Sequence, residues 1–151
     1  FGSWYGVLAH ILTLRLKDTN ILCNDIDKEA ISWCMRKYHT DTNRMEEFTY
    51  ETRVDLVINT VTEHLTQDSY DKWYDNIPKG TYFVIQGNHD FKEPDHVRAC
   101  SSLTEFNRIN KVENTLHSGS MSYEGPWDEV ENRPTYYERY MTIGFKSEYN
   151  K

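Results

Sequence analysis

Apolar residues fall at two different spacings along this chain, and the switches between them mark its elements. Val7, Leu8, Ile11, Leu12 and Leu16 recur at helical steps and predict an amphipathic helix from Tyr5 to about Lys17. The run from Asn20 to Asn24 reads as a buried strand. Asp27 is a good helix N-cap, and Ala30, Ile31, Cys34, Met35 and Tyr38 form the apolar stripe of the helix that follows. The stretch from His39 to Arg53 is polar and mixed, with a short strand or turn expected near Met45 to Phe48. Val54 to Asn59 predicts a strand of the buried, parallel kind. Asp68 is expected to cap a helix that carries Tyr70, Trp73, Tyr74 and Ile77 as packing residues, and Pro78-Lys79-Gly80 ends it.

Thr81 to Gln86 is the next predicted strand, followed by a polar loop from Phe91 to Ala99. Ser102 caps a short helix to about Ile109, with Glu105 completing a capping box. Lys111 to His117 is expected as a strand. Ser118 to Pro134 reads as a long loop because it holds Gly119, Gly125, Pro126 and Pro134. Tyr136 to Phe145 is expected as a final antiparallel strand, at an inner or edge position. Helices and strands that alternate and then close on a hairpin predict an α/β fold. The chain opens directly at a glycine loop, so the strand expected before that loop is missing from it and is expected upstream.

A length of 151 residues predicts a single domain over 1–151. The aromatic share of 14%, led by 11 tyrosines, suits a core and also the wall of a pocket for a flat ligand. A net charge of −7 disfavours nucleic acid as a partner, because the densest basic stretch, Arg36-Lys37, is brief. Cys23, Cys34 and Cys100 form no CxxC pair and are expected as buried reduced thiols, which fits a cytoplasmic location. No long apolar run suggests a membrane span or signal peptide, so no membrane partner is expected.

The candidate chemistry begins with Gly2-Ser3-Trp4-Tyr5-Gly6. Asp25 lies 19 positions after Gly6 and ends the strand of Asn20 to Asn24. That layout matches a nucleotide-binding βαβ unit, in which a glycine turn is followed by a carboxylate that holds a ribose. Two further segments join it: Val57-Ile58-Asn59-Thr60-Val61-Thr62-Glu63-His64, and Trp73 through Thr81.

With these segments, nearly the whole chain resembles the class I S-adenosylmethionine-dependent methyltransferases, with closest likeness to small phage-type members. The resemblance implies a Rossmann-like, doubly wound, mostly parallel sheet with an antiparallel final strand. It implies S-adenosylmethionine as cofactor and methyl transfer to an unidentified acceptor, a small molecule or a protein side chain. Gly2, Ser3, Trp4, Tyr5 and Gly6 would form the turn around the cofactor's amino-acid part, although Trp4 departs from the family's Gly-x-Gly-x-Gly pattern. Asp25 would accept from both ribose hydroxyls, and Ile26 would lie against adenine. Asp41 or Asn43 would meet the adenine amine. Asn59 and Thr60 would complete the cofactor site from the exit of the Val54 to Asn59 strand.

Glu63 and His64 stand at that same exit, where open α/β sheets place their chemistry. Either is a candidate general base, His64 having the better unperturbed pKa. Asn88 and His89 are candidates for acceptor contact in the loop after the next strand. The loop of Ser118 to Pro134, with Tyr123 and Trp127, suggests a lid or partner surface.

Two other readings compete with catalysis of methyl transfer. One is a non-catalytic cofactor-binding protein of the same fold. The other starts from Gly87-Asn88-His89-Asp90, which resembles a segment of metallophosphoesterases where Asn and His contact two metals and phosphate. The other ligands of that chemistry have no counterpart: Asp25–Asp27 lacks the histidine, and His96 and His117 lack the accompanying glycines. No metal is therefore expected from motif spacing.

Overall fold

The computed structural model describes residues 1–34, 36–50 and 53–147. Met35, assigned above to a helical stripe, and residues 51 and 52 of the polar stretch lie outside them. The elements run α1 (Val7–Arg15), β1 (Leu22–Asn24), α2 (Lys28–Cys34), β2 (His39–Asp41), β3 (Leu56–Asn59), α3 (Gln67–Asn76), β4 (Tyr82–Asn88), α4 (Leu103–Ile109), β5 (Thr115–Asp128) and β6 (Arg133–Phe145). Single 3-10 turns occupy Met45–Glu47 and Thr62–His64.

The architecture is the expected α/β one, with a parallel part and an antiparallel end. β1 pairs parallel with β2, and β3 pairs parallel with β4. β6 lies antiparallel between β4 and β5, giving the order β3-β4-β6-β5. Residues 1–3 run between the two sheets. The Phe1 amino group donates to the Ile58 carbonyl at 2.7 Å, and the Ser3 amide donates to the Asn24 carbonyl at 3.2 Å. From this position the chain winds outward one way through β1 and β2 and the other way through β3 and β4. Such a reversal of winding is where open α/β sheets leave a crevice at their strand carboxyl ends.

The main core packs α3 and α4 onto one face of the larger sheet. Val57, Phe83, Ile85 and Tyr140 meet Tyr70, Trp73, Tyr74, Ile77 and Phe106, all buried. A second, smaller core joins Ala9, Cys23, Ile31 and Cys34. All three cysteines are buried and unbridged, as expected.

Several expected elements move. β2 was not anticipated, whereas the short strand or turn expected near Met45 to Phe48 is a 3-10 turn. Thr66, rather than Asp68, caps α3, its hydroxyl accepting from the Ser69 amide. The expected loop of 118–134 is instead two arms of a long hairpin that turns at residues 129–132. α1 forms, but its helically spaced Val7, Leu8 and Ile11 are exposed, and Ala9 is its one buried residue.

Candidate functional site

The glycine loop is shaped by its own packing. Gly2 and Gly6 have φ of 63° and 76°, in the left-handed region that glycine enters without strain. A Cβ on Gly2 would lie 2.6 Å from Val61, and one on Gly6 2.8 Å from the Cys34 sulfur. Their bare Cα atoms thus accommodate neighbouring side chains. Trp4 also has positive φ, at 47°, and is exposed beside Tyr5, with the two rings stacked at 5.3 Å.

Asp25 links this loop to β1. One carboxylate oxygen accepts from the Trp4 amide at 2.8 Å and the other from the Asp27 amide at 3.0 Å. Each oxygen keeps a second lone pair, so the carboxylate can still receive a pair of hydroxyls. Ile26, beside it, is 66% exposed. Asp27 caps α2 as expected, accepting from the amides of Glu29 and Ala30. At the end of β2, the Asp41 carboxylate gathers the Asn24 side-chain amide and both the backbone and side-chain N–H groups of Asn43. Asn43 therefore stands at the carboxyl edge next to Asn24, held there by Asp41.

The exit of β3 is stitched to the same loop. The Thr60 hydroxyl donates to the carbonyls of Gly2 and Phe1. Asn59 is fully buried, with its amide bonded to the Met45 sulfur and its oxygen accepting from the Val61 amide. That use of both ends of its side chain is structural, and Thr60 is the more accessible of the two. Asp25 and Thr60 are thus both hydrogen-bonded to the glycine loop, Asp25 through the Trp4 amide and Thr60 through the Gly2 carbonyl.

Glu63 sits in the 3-10 turn after β3, only 3% exposed. One carboxylate oxygen accepts from the Asn88 side-chain amide at 2.7 Å, and the other is buried with no partner. Burial pushes its pKa up, opposed by a local backbone hydrogen bond and by His64, Arg139 and His96 nearby. A buried carboxyl perturbed in this way at a strand exit is a mark of functional sites. His64 is exposed, and its ring meets that of His96 edge-on at 4.7 Å.

Asn88 ends β4 and spends its amide on Glu63 and its oxygen on the Asp90 amide. His89 is exposed, its ring against Phe91. A concavity of about 360 Å³ lies beside His89, bounded by Phe91, Lys92 and the tip of the β5–β6 hairpin. Tyr136 and Tyr137 from the final strand also line it.

Sequence reasoning set His96 aside for want of accompanying glycines and did not name Arg98. His96 donates Nδ1–H to the Asp90 carbonyl at 2.8 Å, a carbonyl being able only to accept. Arg98 is buried over the Tyr70 ring and donates to Thr62, Ile109 and Asn110. Its backbone amide also donates to the Glu63 carbonyl, fastening the loop to the 3-10 turn. The available signal was Glu93-Pro94-Asp95-His96, whose amide-to-carbonyl bond of 3.1 Å closes a turn with proline at its second position.

No family model matches the sequence, and no curated protein does. Solved structures do match in fold. TehB from Haemophilus influenzae superposes with a TM-score of 0.72 at 12% identity, over 97% of this chain and 56% of that one. This chain therefore spans little more than half of that protein. The N-methyltransferase NodS from Bradyrhizobium japonicum gives 0.64 at 12% identity, over 96% and 83%. The plantazolicin methyltransferase BpumL, solved with a desmethyl plantazolicin analogue and SAH, gives 0.60 at 13% identity, over 96% and 75%. The fold is thus the Rossmann-like α/β fold of S-adenosylmethionine-dependent methyltransferases.

Proposed function

We propose that this chain binds S-adenosylmethionine at the crevice between β1 and β3 and directs methyl transfer to a small-molecule or protein side-chain acceptor. One observation carries the reading: a carboxylate, Asp25, ends β1 at the point where the winding reverses, tied to a left-handed glycine loop through the Trp4 amide. The cofactor supplies a sulfonium-bound methyl group. Asp25 would hold its ribose, and Thr60 with residues 2–6 would cradle its amino-acid end. Exposed Ile26 offers an apolar face to the adenine, and Asn43 a polar group at its rim. On the acceptor side, Glu63 and His64 would orient the incoming nucleophile and take its proton, a buried carboxyl being a better base than an exposed one. Asn88 positions Glu63, and His89 would meet the acceptor. Net acidity supports an acceptor other than nucleic acid.

Among the described residues, no helix is long and apolar enough to cross a membrane. The fold match favours methyl transfer over phosphoester hydrolysis, and Asn88 is occupied by Glu63 and Asp90. The test is isothermal titration with S-adenosylmethionine and S-adenosylhomocysteine. Saturable binding that Asp25→Ala abolishes and His64→Ala spares supports the site. Equal binding by Asp25→Ala overturns the assignment. Binding with no turnover on any acceptor class would favour the non-catalytic relative.

A further inference from the structure

We infer that Glu63, His64 and His96 form a binding site for a divalent transition-metal ion of the zinc class, held by one carboxylate oxygen and two imidazole nitrogens. The three residues come from different segments: the 3-10 turn after β3 supplies two, and the loop after β4 supplies the third. Their donor atoms all lie within 4.8 Å of one another.

Two of the three donors are prepared for a cation. One oxygen of Glu63 is taken by Asn88 at 2.7 Å, which leaves the other buried and without a partner. A buried acceptor left unmatched costs stability unless something occupies it. His96 gives its Nδ1–H to the Asp90 carbonyl, which leaves Nε2 with its lone pair free. That is the arrangement by which metal-binding histidines are oriented from behind. The supports are themselves joined. Asn88 accepts from the Asp90 amide at 3.0 Å, so one residue anchors both the Glu63 carboxylate and the segment whose carbonyl holds His96. Arg98 locks the far end of the loop by donating its amide to the Glu63 carbonyl. His64 is exposed and gives the ion a way in.

The donor set selects the ion. Two imidazoles and a carboxylate suit zinc, iron, cobalt or nickel, whereas calcium and magnesium prefer oxygen alone. Three protein donors leave at least one coordination position for water or a ligand, as in catalytic rather than structural sites. The place of the ion beside a methyl acceptor rests on the methyl-transfer reading; its binding to these three residues does not, and with the ion bound Glu63 and His64 are its ligands and not bases, so the two roles exclude each other.

The test uses the whole chain, stripped with EDTA, and Zn²⁺ or Co²⁺ alone as probe. The expected result is uptake of one equivalent, with visible absorption bands when the ion is Co²⁺. Glu63→Gln and His96→Ala are each expected to weaken binding by roughly 10–100-fold or more, the range that even supporting residues command. His89→Ala, outside the cluster, is expected to leave it unchanged. His96 is half-buried in a loop, so its variant reports even if the buried Glu63→Gln fails to fold. No stoichiometric uptake, or uptake equal in the wild type and His96→Ala, overturns the proposal. Dependence on His89 in place of His96 also overturns it and points to the Gly87–Asp90 segment. S-adenosylmethionine binding, measured on the same stripped protein, tests the other reading separately.

Discussion

Replacing Glu63 by glutamine is expected to raise the stability of the metal-free protein. The carboxylate is almost wholly buried, with one hydrogen bond from Asn88 and one orphan oxygen. Taking an ionised carboxylate out of water costs several kcal/mol even after relaxation. A hydrogen bond to a charged group returns about 1.5–3 kcal/mol. The nearby His64, Arg139 and His96 add attraction, yet burial prevails, since the carboxyl is held above its ordinary pKa. Glutamine keeps the volume and can keep the Asn88 bond through its oxygen, without the charge. Its amide nitrogen inherits the unpartnered place, at a cost of about 1–3 kcal/mol. The difference leaves a net gain of about 1 kcal/mol. For a chain of this length that is a rise of roughly 2–4 °C in Tm.

The assay is thermal unfolding followed by circular dichroism at pH 8, first in EDTA and then with excess Zn²⁺. In EDTA the variant is expected to melt higher. With Zn²⁺ the order is expected to invert, because the wild type gains about 2.7 kcal/mol when the free ion stands at a hundred times its Kd. If Glu63→Gln melts at or below the wild type in EDTA, the carboxylate is satisfied without an ion, and the reasoning from the orphan oxygen fails.

Two further perturbations probe the frame around the site. The buried Lys146 ammonium donates to the Tyr74 and Asp75 carbonyls at 2.6 and 2.9 Å, closing the end of α3, so Lys146→Met is expected to cost about 1–3 kcal/mol. An unchanged melting curve would show that the cap contributes nothing. Glu105 is held below its ordinary pKa of 4.5 by hydrogen bonds from the Ser101 hydroxyl and amide. Its folded pKa is the depressed one, so its contribution is full above that ordinary value and is lost as pH falls through the folded value. Glu105→Gln should therefore lower Tm at pH 7 and leave it unchanged in acid, as melts across a pH series would read.

The elements most legible in the sequence were those whose side chains alternate against a core or whose ends carry caps. β3 and β4 follow from their apolar runs, and Asp27 and Ser102 cap helices as read. β2 was illegible because its three residues, His39 to Asp41, are polar and half-buried or exposed. Its pairing depends on β1, reinforced by the Asn24 bond to Asp41, and no local pattern encodes that. The hairpin arms were misread because Gly125 and Pro126 punctuate them. Both lie in a bulge between Glu124 and Trp127, where a proline costs no ladder bond. Gly125 also has no room for a Cβ beside the Tyr137 ring. Of the candidate site, the positions of Asp25 and Glu63 after strand carboxyl ends, and of Asn88 at one, were legible from the apolar runs that precede them. His96 was considered only as a phosphoesterase ligand and set aside, because the turn in a polar loop that brings it back to Glu63 has no signature in motif spacing.

The two cores are unequal, and the proposed cofactor site takes residues from the junction between them. Among the described residues, eleven buried side chains knit β3, β4, β6, α3, α4 and their adjoining loops, while four hold α1, β1 and α2 together. Residues 1–3 join the halves through main-chain hydrogen bonds, and the Thr60 hydroxyl adds a side-chain bond to the Gly2 carbonyl. The smaller half should therefore open at lower free energy than the larger, since local stability follows buried apolar contact. Asp25 belongs to the smaller half and Thr60 to the junction, so a ligand that touches both stabilises the half that opens first. Hydrogen exchange should find the amides of β1 and α2 exchanging well before those of β3 and β4. S-adenosylhomocysteine should slow the former selectively. Slowing of β4 alone would mean that the ligand does not reach Asp25. Uniform exchange across both sheets would mean that the halves unfold as one unit, and that the crevice is no weaker than the core it joins.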